Sequence, residues 1–382
     1  MRIAIVGCGF VADFYMKTLR AHPELELVGV ADRAQGRAIR FSAHYGVPEY
    51  RSLQRLLDDP RVELVLNLTN PRSHFEVSRA CLLAGKHVYS EKPLAMSVAE
   101  AEQLVSLAEA RGLYLSGAPS RLLGETAQTM WKALREGVVG KPLLAYAEID
   151  DGLVHKMSYK RWAGASGAPW PYEDEFETGC TLEHAGYALT WLAAFFGPAI
   201  SVTPFASVLV PDKETGAPLQ IQAPDFTVTC IRYASGVVAR LTCSSIAPSD
   251  HGIRIFGEEG VLSTEDCRKA RVPVYVQRML NLGGRTMEPP RWLRRKIPLL
   301  WCPELHERSQ ALKKVDFCLG PSELVGAIRE RRPCRLSARF CLHITEIALA
   351  IHEATHERAG RAVEIRSSFE PIAPMPWARG SS

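Results

Sequence analysis

Short, almost unbroken apolar runs punctuate the first 120 residues, at 3–6, 25–31, 64–68, 87–89 and 114–116. Between them lie stretches with apolar residues at helical spacing, over 10–21, 34–45, 74–84 and 97–111. Strands without alternation are buried on both faces, and their regular exchange with helices predicts a parallel sheet covered on each side. Past about residue 121 the rhythm changes. A helix over 123–136 stops at Gly137, and "PLLAYAEID" opens a series of longer strands at 201–209, 226–233, 237–245, 252–256 and 260–263. "YASGVVARLTC" predicts a hairpin turning at Ser235-Gly236. One helix, 181–196, interrupts this series and stops at Gly197-Pro198. The Pro- and Arg-rich stretch 264–310 predicts long loops, and helices at 321–331 and 337–357 close the chain. The pattern therefore predicts an α/β domain over 1–121 and an α+β domain over 122–382. The second is built on a large open antiparallel sheet, with its last helices packing back toward the first.

Composition narrows the class without identifying it. Of 382 residues, 47% are hydrophobic and 23% charged, as in an ordinary soluble domain pair. A formal net charge of +4 is too weak to argue for nucleic acid. The basic runs "RWLRRK" (291–296) and "RERRP" (329–333) carry no aromatic or Gly/Arg repeat and read as solvated faces. If either binds anything, a phosphorylated or nucleotide-linked substrate fits better than nucleic acid. The ten cysteines form no C-x-x-C and several sit in apolar runs, so they read as buried thiols of a reducing compartment, and the expected location is the cytoplasm. The apolar start "MRIAIVGCGF" resembles a leader, but Asp13 interrupts it and no clean cleavage site follows. No run is long enough to span a membrane.

The same start has a better explanation. The first strand runs into Gly7-Cys8-Gly9-Phe10-Val11-Ala12, a G-x-G-x-x-A turn that opens a helix. Gly7 permits the tight turn, Gly9 admits a pyrophosphate to the backbone, and small Ala12 lets helix and strand pack closely. Free N–H groups at the helix start, from Phe10 and Val11 onward, face the phosphates. Asp32 ends the second strand, 23 positions after Gly9, where a carboxylate holds the adenosine ribose and repels a 2′-phosphate. This predicts a Rossmann dinucleotide-binding domain with NAD preferred to NADP. Arg33 works the other way, because it could pair with a 2′-phosphate.

"GKHVYSEKPLA" (85–95) carries a Glu-Lys-Pro tripeptide beyond an apolar strand. It resembles the Gfo/Idh/MocA oxidoreductases, the family of glucose–fructose oxidoreductase and inositol 2-dehydrogenase, with the tripeptide expected at the end of the fifth strand. The resemblance extends over "NLTNPRSHFEVSRACLLAGKHVYSEKPLA", "GCTLEHAGYALTWLAAFFGP" and "DFCLGPSELVGAIRERRPCRLSARFCLHITEIALAI". Oxidising a secondary alcohol needs hydride transfer to nicotinamide and removal of the hydroxyl proton. A partly desolvated Lys92 beside a cationic nicotinamide would have its neutral form favoured and could move that proton. Pro93 would hold the turn, and such Lys-Pro bonds are often cis in the family. Glu91 would contact the nicotinamide ribose or tune Lys92. The family implies that Thr69, Asn70, Pro71 and His74 line the cofactor after the fourth strand, with a helix-start cap as the plainer reading of His74.

On the catalytic helix many family members carry Asp, then His four residues on, then Asp three further. Here those positions hold Glu183, Tyr187 and Thr190, still on one helical face. Tyr187 can relay a proton, Glu183 can orient Lys92 or bind a substrate hydroxyl, and His184 is either an alternative acid/base or a core histidine. Trp162 and Trp170, in the loop "YKRWAGASGAPWPYEDEFETG" (159–179), suit a sugar ring with apolar faces and a polar rim. A solvated lid or a subunit contact explains that loop equally well. Arg121, at the domain junction, is a further substrate-pocket candidate.

One motif points elsewhere. His352-Glu353-Ala354-Thr355-His356 matches the H-E-x-x-H helix of zinc proteases. Ala362 stands where an extended motif would place a third histidine, so the match reads as accidental, no metal is expected, and the histidines read as solvent-facing or interdomain contacts. The expected activity is NAD(P)-dependent hydride transfer at a secondary hydroxyl of a sugar, cyclitol or nucleotide sugar. A redox-neutral glycosidase or epimerase working through a transient keto-sugar, and a non-catalytic NAD-binding protein, are the alternatives. The resemblance further implies a homodimer or homotetramer.

Overall fold

A computed structural model describes residues 1–300, 315–354 and 360–379. Its first sheet is parallel, with β1 (Arg2–Val6), β2 (Glu26–Ala31), β3 (Leu64–Asn67), β4 (His87–Ser90) and β5 (Leu115–Gly117) in the order β2-β1-β3-β4-β5. All of β3 and β5 is buried, as the unbroken apolar runs require. Helices α1 (Phe10–Leu19), α2 (Gln35–Tyr45), α3 (Leu53–Leu57), α4 (His74–Leu83) and α5 (Val98–Ala110) connect the strands. Ser97 accepts the Glu100 amide to start α5, and Gly46, at φ +67°, ends α2. The Glu-Lys-Pro tripeptide follows the fourth full strand. A count of five is reached only through the single parallel bridge Val30–Glu49 at the sheet edge, too short for a hydrophobic pattern to register.

The second sheet has nine strands in the order β15-β12-β11-β10-β6-β9-β8-β7-β16. They are β6 (Pro142–Asp150), β7 (Ala199–Ser207), β8 (Phe226–Tyr233), β9 (Val238–Ser244), β10 (Ile253–Gly257), β11 (Gly260–Thr264), β12 (Val274–Arg278), β15 (Arg295–Ile297) and β16 (Val363–Glu364). Its central pair, β6 and β9, is parallel, and the other pairings are antiparallel. β7 and β8 alternate buried and exposed positions, so one face is open. The hairpin between β8 and β9 turns where expected, with the Gly236 amide 2.9 Å from the Tyr233 carbonyl and Gly236 at φ +87°.

The stretch expected to be long loops departs from that reading. Between residues 264 and 300 it supplies β12 and β15 to the sheet edge, and β13 (Leu280–Leu282) with β14 (Arg285–Met287) forms a separate hairpin. Frequent Pro and Arg masked the short alternation of "VYVQR", and an edge strand of three to five residues gains its pairing from a neighbour already in place. "RWLRRK" accordingly falls partly on β15; residues 301–310 lie outside the described residues.

Helix α6 (Glu125–Arg135) follows the junction, and α7 (Tyr172–Thr178), absent from the sequence reading, lies in the 159–179 loop. The catalytic helix divides into a π-helical turn, Thr181–Ala185, and α8 (Gly186–Phe196), closed by Gly197. Helix α9 (Leu319–Glu330) packs on the first sheet, at β4 and β5, and α10 (Ala338–His352) packs between the two sheets. Thr345 on α10 accepts the Leu94 amide at 3.2 Å, which ties the end of the chain to the loop after Lys92. His352 ends α10 partly buried against Gly179, and its Nδ1 finds no hydrogen-bond partner. It is therefore not solvent-facing; His356 lies outside the described residues. Among the described residues no group of three or more His, Cys, Asp or Glu side chains is arranged to hold a metal. No described helix is long and apolar enough to cross a membrane.

Candidate active site

The carboxyl ends of β1, β3 and β4 open onto one cavity of about 1470 Å³ between the two sheets. Gly7, after β1, sits at φ +99°, and a Cβ there would meet the backbone of Leu68 and Thr69 at 2.6–2.7 Å. The glycine thus allows the first and third strand ends to touch. Gly9 differs: a Cβ there would meet nothing within 4 Å, and the residue opens onto the cavity with Phe10 and Val11. Open space beside the first amides of α1 is what a pyrophosphate needs. Asp32 accepts the Cys8 amide at 2.8 Å and the Ala34 amide at 2.7 Å, so it braces the glycine turn from the second strand.

Arg33 is exposed and lies outside the cavity wall. Arg37, one helical turn later on α2, lines the wall with its Nη1 3.7 Å from Asp32. A helix start turns successive side chains by about 100°, and that rotation is what the strand-end pattern could not supply.

Beyond β3, Thr69, Asn70, Pro71 and His74 all line the cavity. Asn70 hydrogen-bonds Asp174 across the cleft. His74 opens α4 and is fully buried, with Nδ1 2.7 Å from the Pro93 carbonyl and Nε2 2.9 Å from that of Thr69. It joins the loop after β3 to the loop after β4, and burial lowers its pKa.

Lys92 follows β4, with a cis bond to Pro93, and its ammonium bonds Glu183. Glu91 beside it lines the cavity and is held by the buried Tyr15 hydroxyl at 2.7 Å. The expected neutral lysine belongs to a site with nicotinamide in place; the protein's own groups act on the charge in both directions. Burial opposes the charge, but Glu183, Glu175, Tyr187 and Glu91 outweigh it and hold the ammonium above its ordinary pKa. The carboxylates are distributed over three separate segments of chain, so their effects add only once the fold brings them together.

The π-helical turn accounts for the unusual catalytic helix. It widens the turn at 181–185, and Glu183, His184 and Tyr187 all reach the cavity, while Thr190 faces a small pocket behind Lys92. The choice between Tyr187 and His184 therefore dissolves, because both are present. His184 Nδ1 stands 3.1 Å from Asp151, yet burial lowers its pKa to about 4, so its ring is neutral. Asp151 also accepts from His251 at 3.0 Å and from Arg268, whose guanidinium lies 5.1 Å above the Tyr187 ring. Arg121 lines the cavity, donates to the Asp316 carbonyl at 2.7 Å and lies over Phe317. Asp151, His251 and Arg268 were invisible as a group because Asp151 precedes the other two by 100 and 117 residues.

The 159–179 loop reaches the first domain. Ser166 donates to Asp13 through its hydroxyl at 2.9 Å and its amide at 3.1 Å, and Trp170 enters the cavity wall. Trp162 does not line the cavity. It packs at a tilt against Trp170, 4.9 Å between ring centroids, in a satellite cluster with Tyr159 and Phe176, and so supports the residue that does. Glu175, on α7, accepts the Trp170 indole N–H at 3.1 Å and faces Glu183 and Lys92.

A glycine-turn cleft joined to a partly buried lysine at the opening of the second sheet defines a dinucleotide-dependent dehydrogenase. Comparison with known proteins places it more closely. The oxidoreductase family profile with an NAD-binding Rossmann fold matches residues 1–117, and the GFO/IDH/MocA C-terminal domain matches 127–263. The chain belongs to the Gfo/Idh/MocA family of NAD-binding oxidoreductases. It is 29% identical to trans-1,2-dihydrobenzene-1,2-diol dehydrogenase of Macaca fascicularis over 265 residues, 68% of this chain and 73% of that one. Myo-inositol 2-dehydrogenase of Thermotoga maritima is 24% identical over 276 residues, 71% and 77% of the two chains. The fold superposes on levoglucosan dehydrogenase, solved with NADH and L-sorbose, with a TM-score of 0.76 at 18% identity, covering 96% and 99% of the chains.

Proposed function

We propose that this protein is an NAD-dependent dehydrogenase that oxidises a secondary hydroxyl on a polyhydroxylated ring. The observation that carries the reading is the Lys92–Glu183 pair, set in the same cavity as the open Gly9 turn. Bound NAD would supply the hydride acceptor. Gly9 and the first amides of α1 would hold its pyrophosphate, Asp32 its adenosine ribose, and Thr69, Asn70 and Glu91 the half nearer Lys92. About 1470 Å³ exceeds an ordinary single-ligand pocket of roughly 300–1,000 Å³ and leaves room for a second molecule.

The substrate hydroxyl would hydrogen-bond Lys92 Nζ, whose amine form would take the hydroxyl proton and whose resulting ammonium would stabilise negative charge on the oxygen. Neutral His184 and the Tyr187 hydroxyl would fix a neighbouring hydroxyl, and the Trp170 and Tyr187 rings would cover the apolar faces of the ring. The two curated relatives are named for a ring diol and a cyclitol, which supports a substrate of that shape; sugars and nucleotide sugars are the wider class. Exposed Ile200 and Phe205 on β7 support pairing through the open sheet face, as a homodimer or homotetramer. The nine described cysteines, all free, support a reducing, cytoplasmic setting.

The test is a screen of myo-inositol, aldoses and nucleotide sugars for NADH absorbance, run on the parent and on Lys92→Ala. The variant should keep NAD uptake and lose turnover by a factor of at least about 10². Equal turnover in both would refute the reading.

A further inference from the structure

One group in the cavity is left over by the mechanism just described. Glu175 comes from α7, outside the helix that carries Glu183, yet it lines the same cavity as Glu183 and Lys92, and its carboxyl faces theirs. Both carboxyls face the single ammonium of Lys92. The other side of Glu175 is closed by Trp170, whose indole N–H occupies Oε1. The other polar groups bearing on this cluster are Glu91 beside Lys92, Tyr187 and His184 on the catalytic helix, and Asp174 on α7 itself. Two carboxyls facing one another cannot both ionise cheaply beside one cation, so one of them keeps a proton.

We propose that Glu175 is the proton relay of the Lys92–Glu183 pair, holding one exchangeable proton at rest and passing it between the active site and solvent. The inference rests on the dehydrogenase reading above. In the oxidative direction Lys92 gives an Nζ proton to Glu183, and Glu183 passes one to ionised Glu175, which releases it to buffer. The substrate O–H bond then breaks, its proton restores the Lys92 ammonium, and the C–H electron pair leaves as hydride to NAD. Alcohol and NAD become ketone, NADH and one proton, and that proton is the one Glu175 discharges. Reduction runs the same transfers backwards and needs Glu175 loaded.

Burial, with Glu183 adding to it, pushes the Glu175 pKa up to about 8, despite the opposing effect of Lys92. The carboxyl pair therefore holds a proton to higher pH than an ordinary glutamate and releases it as pH rises. Oxidation rises as pH climbs through that value, and reduction falls. Glu175→Gln keeps an acceptor for the Trp170 N–H but carries no removable proton.

Two measurements on the full chain test this. Infrared spectra of the protein, with glutamate carbonyls isotopically labelled, follow the protonated carboxyl band between about pH 6 and pH 10. The parent should lose one such band with a midpoint near 8, and Glu175→Gln should lack it. Calorimetry of NAD uptake at neutral pH, in two buffers of different ionisation enthalpy, counts protons released as the cationic nicotinamide arrives. The parent should release a substantial fraction of one proton and Glu175→Gln close to none. A carboxyl band that survives unchanged in Glu175→Gln, or equal proton release from both proteins, overturns the relay. If NAD is not taken up at all, the dehydrogenase reading fails, while the infrared result still decides the protonation of Glu175.

Discussion

Gly7→Ala and Gly9→Ala, two positions apart in one turn, should fail in different ways. A methyl on Gly7 would lie 2.6 Å from the carbonyl carbon and oxygen of Leu68 and 2.7 Å from the Thr69 nitrogen. All three are backbone atoms at the end of β3, which cannot swing aside as a side chain would. The positive φ of +99° adds a cost of about 1–2 kcal/mol for any L side chain, and forced overpacking adds about 1–3 kcal/mol. Gly7→Ala should therefore lose about 2–5 kcal/mol of stability. Gly9→Ala has an ordinary φ of −89° and open space around its Cβ, so unfolding should change by less than about 1 kcal/mol. Its methyl instead enters the space where a pyrophosphate approaches, and a similar clash of about 1–3 kcal/mol would weaken NAD binding by about 5- to 150-fold. Urea unfolding and titration calorimetry with NAD separate the two effects. A Gly9→Ala protein that binds NAD within about twofold of the parent would refute the assignment of the turn to the cofactor.

Three other perturbations follow from the same geometry. Glu323→Ala should destabilise by about 3–5 kcal/mol in urea unfolding, because it strips a buried carboxylate that Arg335 contacts at 2.9 and 3.0 Å. Arg37→Ala should leave NAD affinity unchanged and weaken NADP by about fivefold in parallel titrations, the modest value reflecting a half-exposed guanidinium. His22 is fully buried; burial opposes its charge, but hydrogen bonds to Asp316 and Glu24 raise its pKa. A raised folded pKa means the stabilisation is complete below the unfolded value of about 6.5 and is lost as pH rises through the folded one. The Tm difference between the parent and His22→Asn should therefore shrink as pH climbs from about 6 to 9.

Local chemistry was legible along the chain wherever a few neighbouring residues decide the outcome. Unbroken apolar runs marked the parallel strands, and the glycine turn, Asp32 and Glu-Lys-Pro could be read because a strand end and the turn after it span fewer than ten residues. Position 187 and its neighbours were correctly found on one helix, but their presentation was not. The π-helical turn that brings Glu183, His184 and Tyr187 to one wall depends on packing against α10 and β9. The short edge strands after residue 264 were missed for a related reason, since β12 is paired by β11 and β15 by β12 rather than either being set by its own pattern.

Tertiary structure alone decided the electrostatics. Glu175, Glu183, Glu91 and Tyr187 meet around Lys92 from separate segments, and their summed field raises the pKa that burial by itself would lower. Asp151, His251 and Arg268 likewise meet beside His184 from separate segments. Hydrophobic periodicity and turn chemistry act over neighbouring residues and are written along the chain. Coulomb interactions act through space, and they exist only once folding has set the distances between charges.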